Sequence, residues 1–277
     1  MSEVKPLLSA VVKIAREAGE LIMTFDRKGD SLEVNHKADN SPVTDADHAA
    51  NDFILQELAN LPDNFPVLSE ESPIPDYAVR SQWQSYWLVD PLDGTRGYLS
   101  GGEDFTVNIA LVENGMPTLG VIYVPLRRTC YLAQIGSGAF FAAHDSTNWL
   151  PMTCKKSTQQ ITVSCSARRT SDKYQQIRNQ LESRGYEISE KREGSSLKFC
   201  RIAEGTSDLY PCFLPTNEWD TAAGQIIVEE AGGLVVEETT GLPLRYNHKK
   251  SLKNPSFLVF ADHSLARQYS EYLKPGE

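Results

Sequence analysis

Apolar residues recur at helical spacing from the start of the chain: Leu7, Leu8, Val11, Val12, Ile14, Ala15, Ala18, Leu21, Ile22 and Phe25. That period predicts a long amphipathic first helix whose role is packing. The polar, turn-rich run from Lys37 to Asp47 leads into a second helix, expected to turn Ala49, Phe53, Ile54 and Leu58 inward. Residues 65–68 read as a short buried strand, and Trp83 with Tyr86-Trp87-Leu88-Val89 as another, closed by Pro91 and Gly94. Runs at 105–112, 119–124, 130–135 and 139–142 are separated by Gly and Pro turns and predict an antiparallel meander.

The polar stretch 143–154 is the expected boundary between two halves. Beyond it the pattern predicts a strand at 161–164 and a helix holding Tyr174, Ile177 and Leu181. Gly194-Ser195-Ser196 opens a further helix with Leu197, Cys200, Ile202 and Ala203 inward. A strand at 208–213 follows, then a helix opened by Trp219-Asp220 and stopped at Gly232-Gly233. Strands at 235–236 and 257–261 and a final helix complete the chain. The fold class is α/β, in the sense of an α+β layered sandwich. Residues 1–150 form an N-terminal half of helices and antiparallel sheet, 151–277 an α/β half for substrate, and the two make one functional unit.

Composition narrows the classes. The 277 residues, 40% hydrophobic, are ample for a core. The start of the chain has no apolar signal core and no run approaches the length of a membrane span, so a soluble protein is expected. A net charge of -10 argues against a nucleic-acid polymer as partner, because phosphate neutralisation needs a basic face. The five cysteines are scattered, odd in number and without Cys-x-x-Cys spacing, which fits a reducing cytoplasm.

The candidate chemistry centres on Asp90-Pro91-Leu92-Asp93-Gly94-Thr95. Pro91 cannot continue a ladder and Gly94 permits a tight turn, so the two carboxylates fold toward one point at a strand end. Oxygen ligands with no nearby His or Cys suit Mg2+ better than zinc or copper. An Asx-type turn with Asp93 in solvent is the bland alternative. Other acids carry the same ambiguity. Asp47, three residues after Thr44, resembles a capping-box partner. In Ser69-Glu70-Glu71-Ser72 the two glutamates point to opposite faces, and Glu70 is favoured for a cluster. Asp220 in the first turn of a helix is favourable for dipole reasons alone. Ser195 and Ser196 suit an N-cap, or a phosphate site with Lys198 beside them.

Taken together, Asp90-Pro-Leu-Asp-Gly-Thr95, Ser69-Glu-Glu-Ser72, Val43-Thr-Asp-Ala-Asp47 and Trp219-Asp-Thr-Ala-Ala-Gly224 resemble the lithium-sensitive, Mg2+-dependent phosphatases of the inositol monophosphatase superfamily. The resemblance runs over nearly the whole chain. Lys37-Ala-Asp-Asn-Ser-Pro-Val-Thr44, Phe105-Thr-Val-Asn-Ile-Ala-Leu111, Gly194-Ser-Ser-Leu-Lys-Phe199 and Leu209-Tyr-Pro211 are similar to the CysQ-type branch, the bacterial 3'(2'),5'-bisphosphate nucleotidases.

The resemblance implies two or three Mg2+ ions held by Glu70, Asp90, Asp93, Asp220 and the Leu92 carbonyl. It implies that Asp47 orients the Thr95 hydroxyl, which holds the attacking water with Glu70 flanking it, and that Glu71 stands behind the ligands. Leu92, Asp93, Gly94, Thr95, Ser195, Ser196, Lys198 and Asp220 would surround the substrate. That substrate is expected to be adenosine 3',5'-bisphosphate, cleaved to AMP and phosphate in sulfur metabolism, with its sulfated relative PAPS as a second. Branch members carry Arg where this chain has Cys212 and His where it has Ala167; Arg168 or Arg169 could compensate. The alternatives are an inositol or sugar phosphate phosphatase, and a non-catalytic nucleotide sensor. A monomer or homodimer in the cytoplasm is expected, without strong membrane binding, although some relatives associate with the cytoplasmic face of the inner membrane.

Overall fold

The first helix, α1 (Pro6–Thr24), begins on a proline, whose missing N–H costs nothing at a helix start, and buries Leu8, Val11, Ala15, Ala18 and Ile22 along one face. The computed structural model describes residues 5–26, 34–36, 42–143, 146, 148–166 and 171–273. β1 (Val34–His36) and β2 (Pro42–Thr44) pair as an antiparallel ribbon that delivers the chain to α2 (Asp45–Ala59). The inward residues of α2 are Ala46, Ala50, Ile54 and Leu58, with Asp47 and Asn51 beside them. Starting at Asp45 behind the Thr44 cap, the helix is rotated so that Ala50, rather than the expected Ala49, faces the core, and Phe53 lies at its margin.

β3 (Val67–Ser69) is followed by the short helix α3 (Tyr77–Arg80), β4 (Ser85–Asp93) and α4 (Thr95–Leu99). The expected meander is then β5 (Thr106–Glu113), β6 (Met116–Val124), β7 (Thr129–Gln134) and β8 (Gly138–Ala143). With β9 (Leu150–Met152) these strands form one seven-stranded sheet in the order β3-β4-β5-β6-β7-β8-β9. Only the β3–β4 pair in it is parallel. β9 lies inside the stretch read as a polar boundary. Its Pro151 argues against a central strand, and an edge position tolerates it.

The second sheet has the order β11-β10-β12-β14-β13. It is built from β10 (Gln160–Ser166), β11 (Glu187–Glu193), β12 (Leu209–Cys212), β13 (Leu234–Glu237) and β14 (Phe257–Phe260). α5 (Asp172–Ser183), α6 (Leu197–Ala203), α7 (Ala222–Glu230) and α8 (His263–Leu273) are the remaining described α-helices. The sequence pattern does not announce β11. Its residues Glu-Ile-Ser-Glu-Lys-Arg-Glu are charged because it is an edge strand, where charge protects an open ladder.

Strand alternation sorts the core into layers. Trp87, Val89, Val107, Ile109, Val121 and Tyr123 pack with α1 and α2 on one face of the first sheet. Tyr86, Leu88, Ala110, Val112 and Ile122 face the opposite way, onto Phe199, Ile226 and Ile227 of α6 and α7, which also cover Tyr210, Phe257 and Val259 of the second sheet. The far face of the second sheet packs on Tyr174, Ile177, Leu181, Leu265 and Tyr269 of α5 and α8. The result is an alternating α-β-α-β-α stack, the layered arrangement expected. Among the described residues no helix is long and apolar enough to cross a membrane.

Candidate active site

The site begins where β4 stops behaving as a strand. The ladder with β5 is regular to Asp90 and shifts before Asp93, since Pro91 has no N–H to give. The Leu92 N–H instead donates to Asp90 Oδ1 at 3.1 Å, and Gly94 turns the chain at φ +94° into α4. A Cβ on Gly94 would lie 3.1 Å from the Asp104 carbonyl oxygen, so both the φ and the space favour glycine there. Glu70 follows β3, the parallel neighbour of β4, and its N–H donates to the Val89 carbonyl at 3.1 Å.

Asp220 arrives from the other half of the chain. It ends a single 3-10 turn, Glu218–Asp220, ahead of α7, rather than lying in that helix's first turn as the sequence suggested. Asp220 Oδ2 accepts from the Asn217 N–H at 2.8 Å, a capping box that holds the turn. The Asn254 amide donates to the Asn217 carbonyl at 2.6 Å and lies 3.1 Å from Thr221 Oγ1, pinning the turn from outside.

Glu70, Asp90 and Asp220 each bring a carboxylate oxygen to within 4.8 Å of the others. Burial, then repulsion from Glu70, Asp93 and Asp220, holds the Asp90 carboxyl well above the usual range. Burial, then Asp93 and Glu70, does the same to Asp220. Asp93 stands beside the three. Burial raises it to about 6 against the opposing pull of Lys198, while its Oδ2 accepts the Ser196 N–H at 2.7 Å. Acids packed this tightly share protons or a cation. The donor set is oxygen only and partly buried, which fits a hard divalent ion such as Mg2+.

Asp47 and Thr95 meet at the edge of this cluster. Asp47, fully buried, accepts at Oδ2 from the Thr44 N–H (2.9 Å) and hydroxyl (2.6 Å), and at Oδ1 from the Thr95 hydroxyl (3.0 Å). The carboxylate therefore caps α2 and orients Thr95 at once. Thr95 Oγ1 also lies 3.2 Å from the Leu92 carbonyl, so Leu92 and Thr95 are placed together.

The Gly194–Lys198 segment is next to these groups, but its hydroxyls are engaged. Ser195 Oγ donates to the Asp104 carbonyl at 2.8 Å, and Ser196 Oγ bonds Asn108 Oδ1 at 2.7 Å and Thr106 Oγ1 at 2.8 Å. Lys198, buried, donates to the Ser195 carbonyl and lies 5.2 Å from the centre of the Tyr210 ring. The cleft over Asp93 and Asp220 is walled by Arg96, Ser166, Lys198 and Thr216. It adjoins an apolar slot lined by Tyr174, Tyr210, Cys212, Phe213 and Leu214. Arg96, Ser166 and Thr216 were not singled out in the sequence; Arg96, directly after Thr95, carried the nearest thing to a signal. Ala167, Arg168, Arg169 and residues 37–41 lie outside the described residues.

The profile of the Inositol monophosphatase family matches residues 3–272. The chain belongs to the inositol monophosphatase family. Within the family, it is 41% identical to the 3'(2'),5'-bisphosphate nucleotidase CysQ of Escherichia coli over 91% of this chain and 99% of the relative. The CysQ of Haemophilus influenzae is 33% identical over 93% of this chain and 94% of that protein. Among solved structures, CysQ from Bacteroides thetaiotaomicron, described as a bacterial member of the inositol monophosphatase family, aligns with a TM-score of 0.81 and 37% identity. It covers 93% of this chain and 98% of that one. An IMPase of Thermotoga maritima aligns at TM-score 0.76 and 25% identity, covering 96% and 97%. The family resemblance read from the motifs thus holds over nearly the whole chain.

Proposed function

We propose that the chain is a Mg2+-dependent 3'(2'),5'-bisphosphate nucleotidase that hydrolyses adenosine 3',5'-bisphosphate to AMP and phosphate. The observation that carries the chemistry is the convergence of Glu70, Asp90 and Asp220 on one point, with Asp93 beside them and the Asp47–Thr95 pair at the edge. The nucleotide as substrate rests on similarity to the CysQ relatives and on an apolar slot adjoining the acidic cleft.

Glu70, Asp90, Asp93, Asp220 and the Leu92 carbonyl would hold two or three Mg2+ ions, which when bound neutralise phosphate charge and activate water for in-line attack. Asp47 Oδ1 accepts a hydrogen bond from the Thr95 hydroxyl, leaving the Thr95 lone pairs to hold the attacking water, with Glu70 flanking it. The amides of Gly94 and Thr95 are donors for phosphate oxygens. Lys198 supplies the one buried cation beside the acids among the described residues, and Tyr210 with Phe213 offers the slot to a flat base. Ser195 and Ser196 serve through the turn they build, since their hydroxyls are already bonded.

The two halves act as one unit, because ligands from both line the cleft. The protein would act in the cytoplasm as a monomer or homodimer. The test is phosphate release from adenosine 3',5'-bisphosphate, inositol 1-phosphate, fructose 1,6-bisphosphate and NADP, each with Mg2+ and with or without lithium. Faster turnover of the nucleotide, with inhibition by lithium, is expected; faster release from inositol 1-phosphate would overturn the substrate and leave the chemistry standing.

A further inference from the structure

Two other segments of the chain meet at Asp104. Its Oδ2 accepts the Gly194 N–H at 3.0 Å, its carbonyl accepts the Ser195 hydroxyl at 2.8 Å, and its Oδ1 is bridged by Arg127 at 2.6 Å. The fit is close. A Cβ on Gly194 would lie 2.8 Å from the Asp104 carbonyl oxygen, and one on Gly94 would lie 3.1 Å from the same atom. Asp104 thus sits between the turn that carries Asp93 and the turn that begins at Gly194.

The second turn is not at rest. Ser195 adopts φ +42°, a conformation that side-chain-bearing residues avoid and that persists only where neighbours hold it. What it secures is the next N–H, since Ser196 N donates to Asp93 Oδ2 at 2.7 Å. That bond orients the carboxylate. The strained turn also brings the Ser195 carbonyl to Lys198, whose charge faces Asp93.

We propose that Asp104, braced by Arg127, is a positioning residue: it holds the Gly194–Ser196 turn so that the Ser196 amide and Lys198 fix Asp93 for the divalent ion. Asp104 touches neither ion nor substrate in this role, and the inference rests on the metal-site reading above. Arg127 is the outer brace, with its side chain 33% exposed, so its loss loosens Asp104 without opening the core.

The experiment compares the parent with Asp104→Ala, Asp104→Asn and Arg127→Ala in the full chain. Two quantities are read: the Mg2+ concentration for half-maximal nucleotide hydrolysis, and the rise in Tm on adding Mg2+, which needs no turnover. Asp104→Ala is expected to raise the half-saturating Mg2+ about tenfold and to cut the Tm gain, with the nucleotide KM within about twofold at saturating Mg2+. Asp104→Asn, which keeps an acceptor for the Gly194 N–H, should recover most of the loss. Arg127→Ala should shift the half-saturating Mg2+ by about two- to fivefold. A lower Tm with an unchanged Mg2+-induced gain and unchanged half-saturation would make Asp104 merely structural and overturn the proposal. Should Asp104→Ala fail to fold, Arg127→Ala decides by the same two readings. If the parent releases no phosphate from the nucleotide, the functional reading fails, while the Tm gain still tests Asp104.

Discussion

Asp47 Oδ1 and Thr95 Oγ1 lie 3.0 Å apart, joining a helix cap to the turn that ends β4 across 48 residues of sequence. One buried carboxylate serves both ends, because its two oxygens face different partners: Thr44 at Oδ2 and Thr95 at Oδ1. The two roles separate by mutation. Thr95→Ala and Asp47→Asn should each lower kcat by about 10²- to 10⁴-fold with little change in KM, as expected when a group orienting the attacking water is lost. Thr44→Ala should cost about 1 kcal/mol, the usual worth of a cap, and lower Tm by a few degrees while kcat stays within a few-fold. Steady-state kinetics and thermal melts on the three variants check this.

Metal binding should release protons. Asp90 and Asp220 are held well above the carboxylate range and Asp93 is raised to about 6, so the metal-free site retains protons that a cation must displace. Mg2+ affinity should therefore rise with pH. Titration calorimetry in buffers of different ionisation enthalpy reads the proton count directly; a count of zero at pH 6 would contradict the expected sharing of protons in the cluster. Chelation should abolish activity and lower Tm, because a cation that binds only the folded chain no longer stabilises it.

Away from the site, Glu229 gives a stability effect whose sign is set by burial. Burial raises its carboxyl from 4.5 to about 7, against a hydrogen bond from Gln225 Nε2 at 2.9 Å. A raised acid means the native state holds the proton more tightly than the unfolded chain. Its contribution therefore diminishes as pH climbs from 4.5 through 7, and above that the folded protein carries a partly buried charge. Glu229→Gln keeps an acceptor for Gln225 and removes the charge. The variant should melt higher than the parent at pH 8 and match it near pH 4.5, by parallel thermal scans.

Close approach of α7 to the first sheet predicts a large penalty at Gly120. A Cβ there would meet Ile226 Cγ2 at 2.5 Å and the Ala223 carbonyl oxygen at 2.7 Å. The second contact is backbone, which cannot swing aside. Gly120→Ala should destabilise by about 1–3 kcal/mol and lower Tm by several degrees. Because α7 follows the turn that carries Asp220, the half-saturating Mg2+ should rise with it; denaturation and Mg2+ titration on the one variant test both.

Much of the arrangement was legible before any coordinates. The 3.6-residue period of α1 and the evenly spaced β-rich runs of the meander announced themselves, because each buries one face and leaves the other to water. Asp90 and Asp93 were legible as a pair, since Pro91 and Gly94 make the turn locally. The elements that escaped obey tertiary rules. β11 is charged because it is an edge, and β9 holds a proline because it is another.

Ser195 and Ser196 show the same limit within the site. Their types and position at a helix start suit phosphate, and only the fold reveals that Asp104, Asn108 and Thr106 have claimed their hydroxyls. The chain's own order determined which acids exist, which turn each sits on, and which family it resembles. The resemblance implied that Asp220 joins Glu70 and Asp90 and that Asp47 reaches Thr95; tertiary structure brings them together, and it alone decided that Asp104 stands behind Asp93. Spacing along a strand or helix is governed by local geometry, whereas the meeting of separate segments depends on how layers pack.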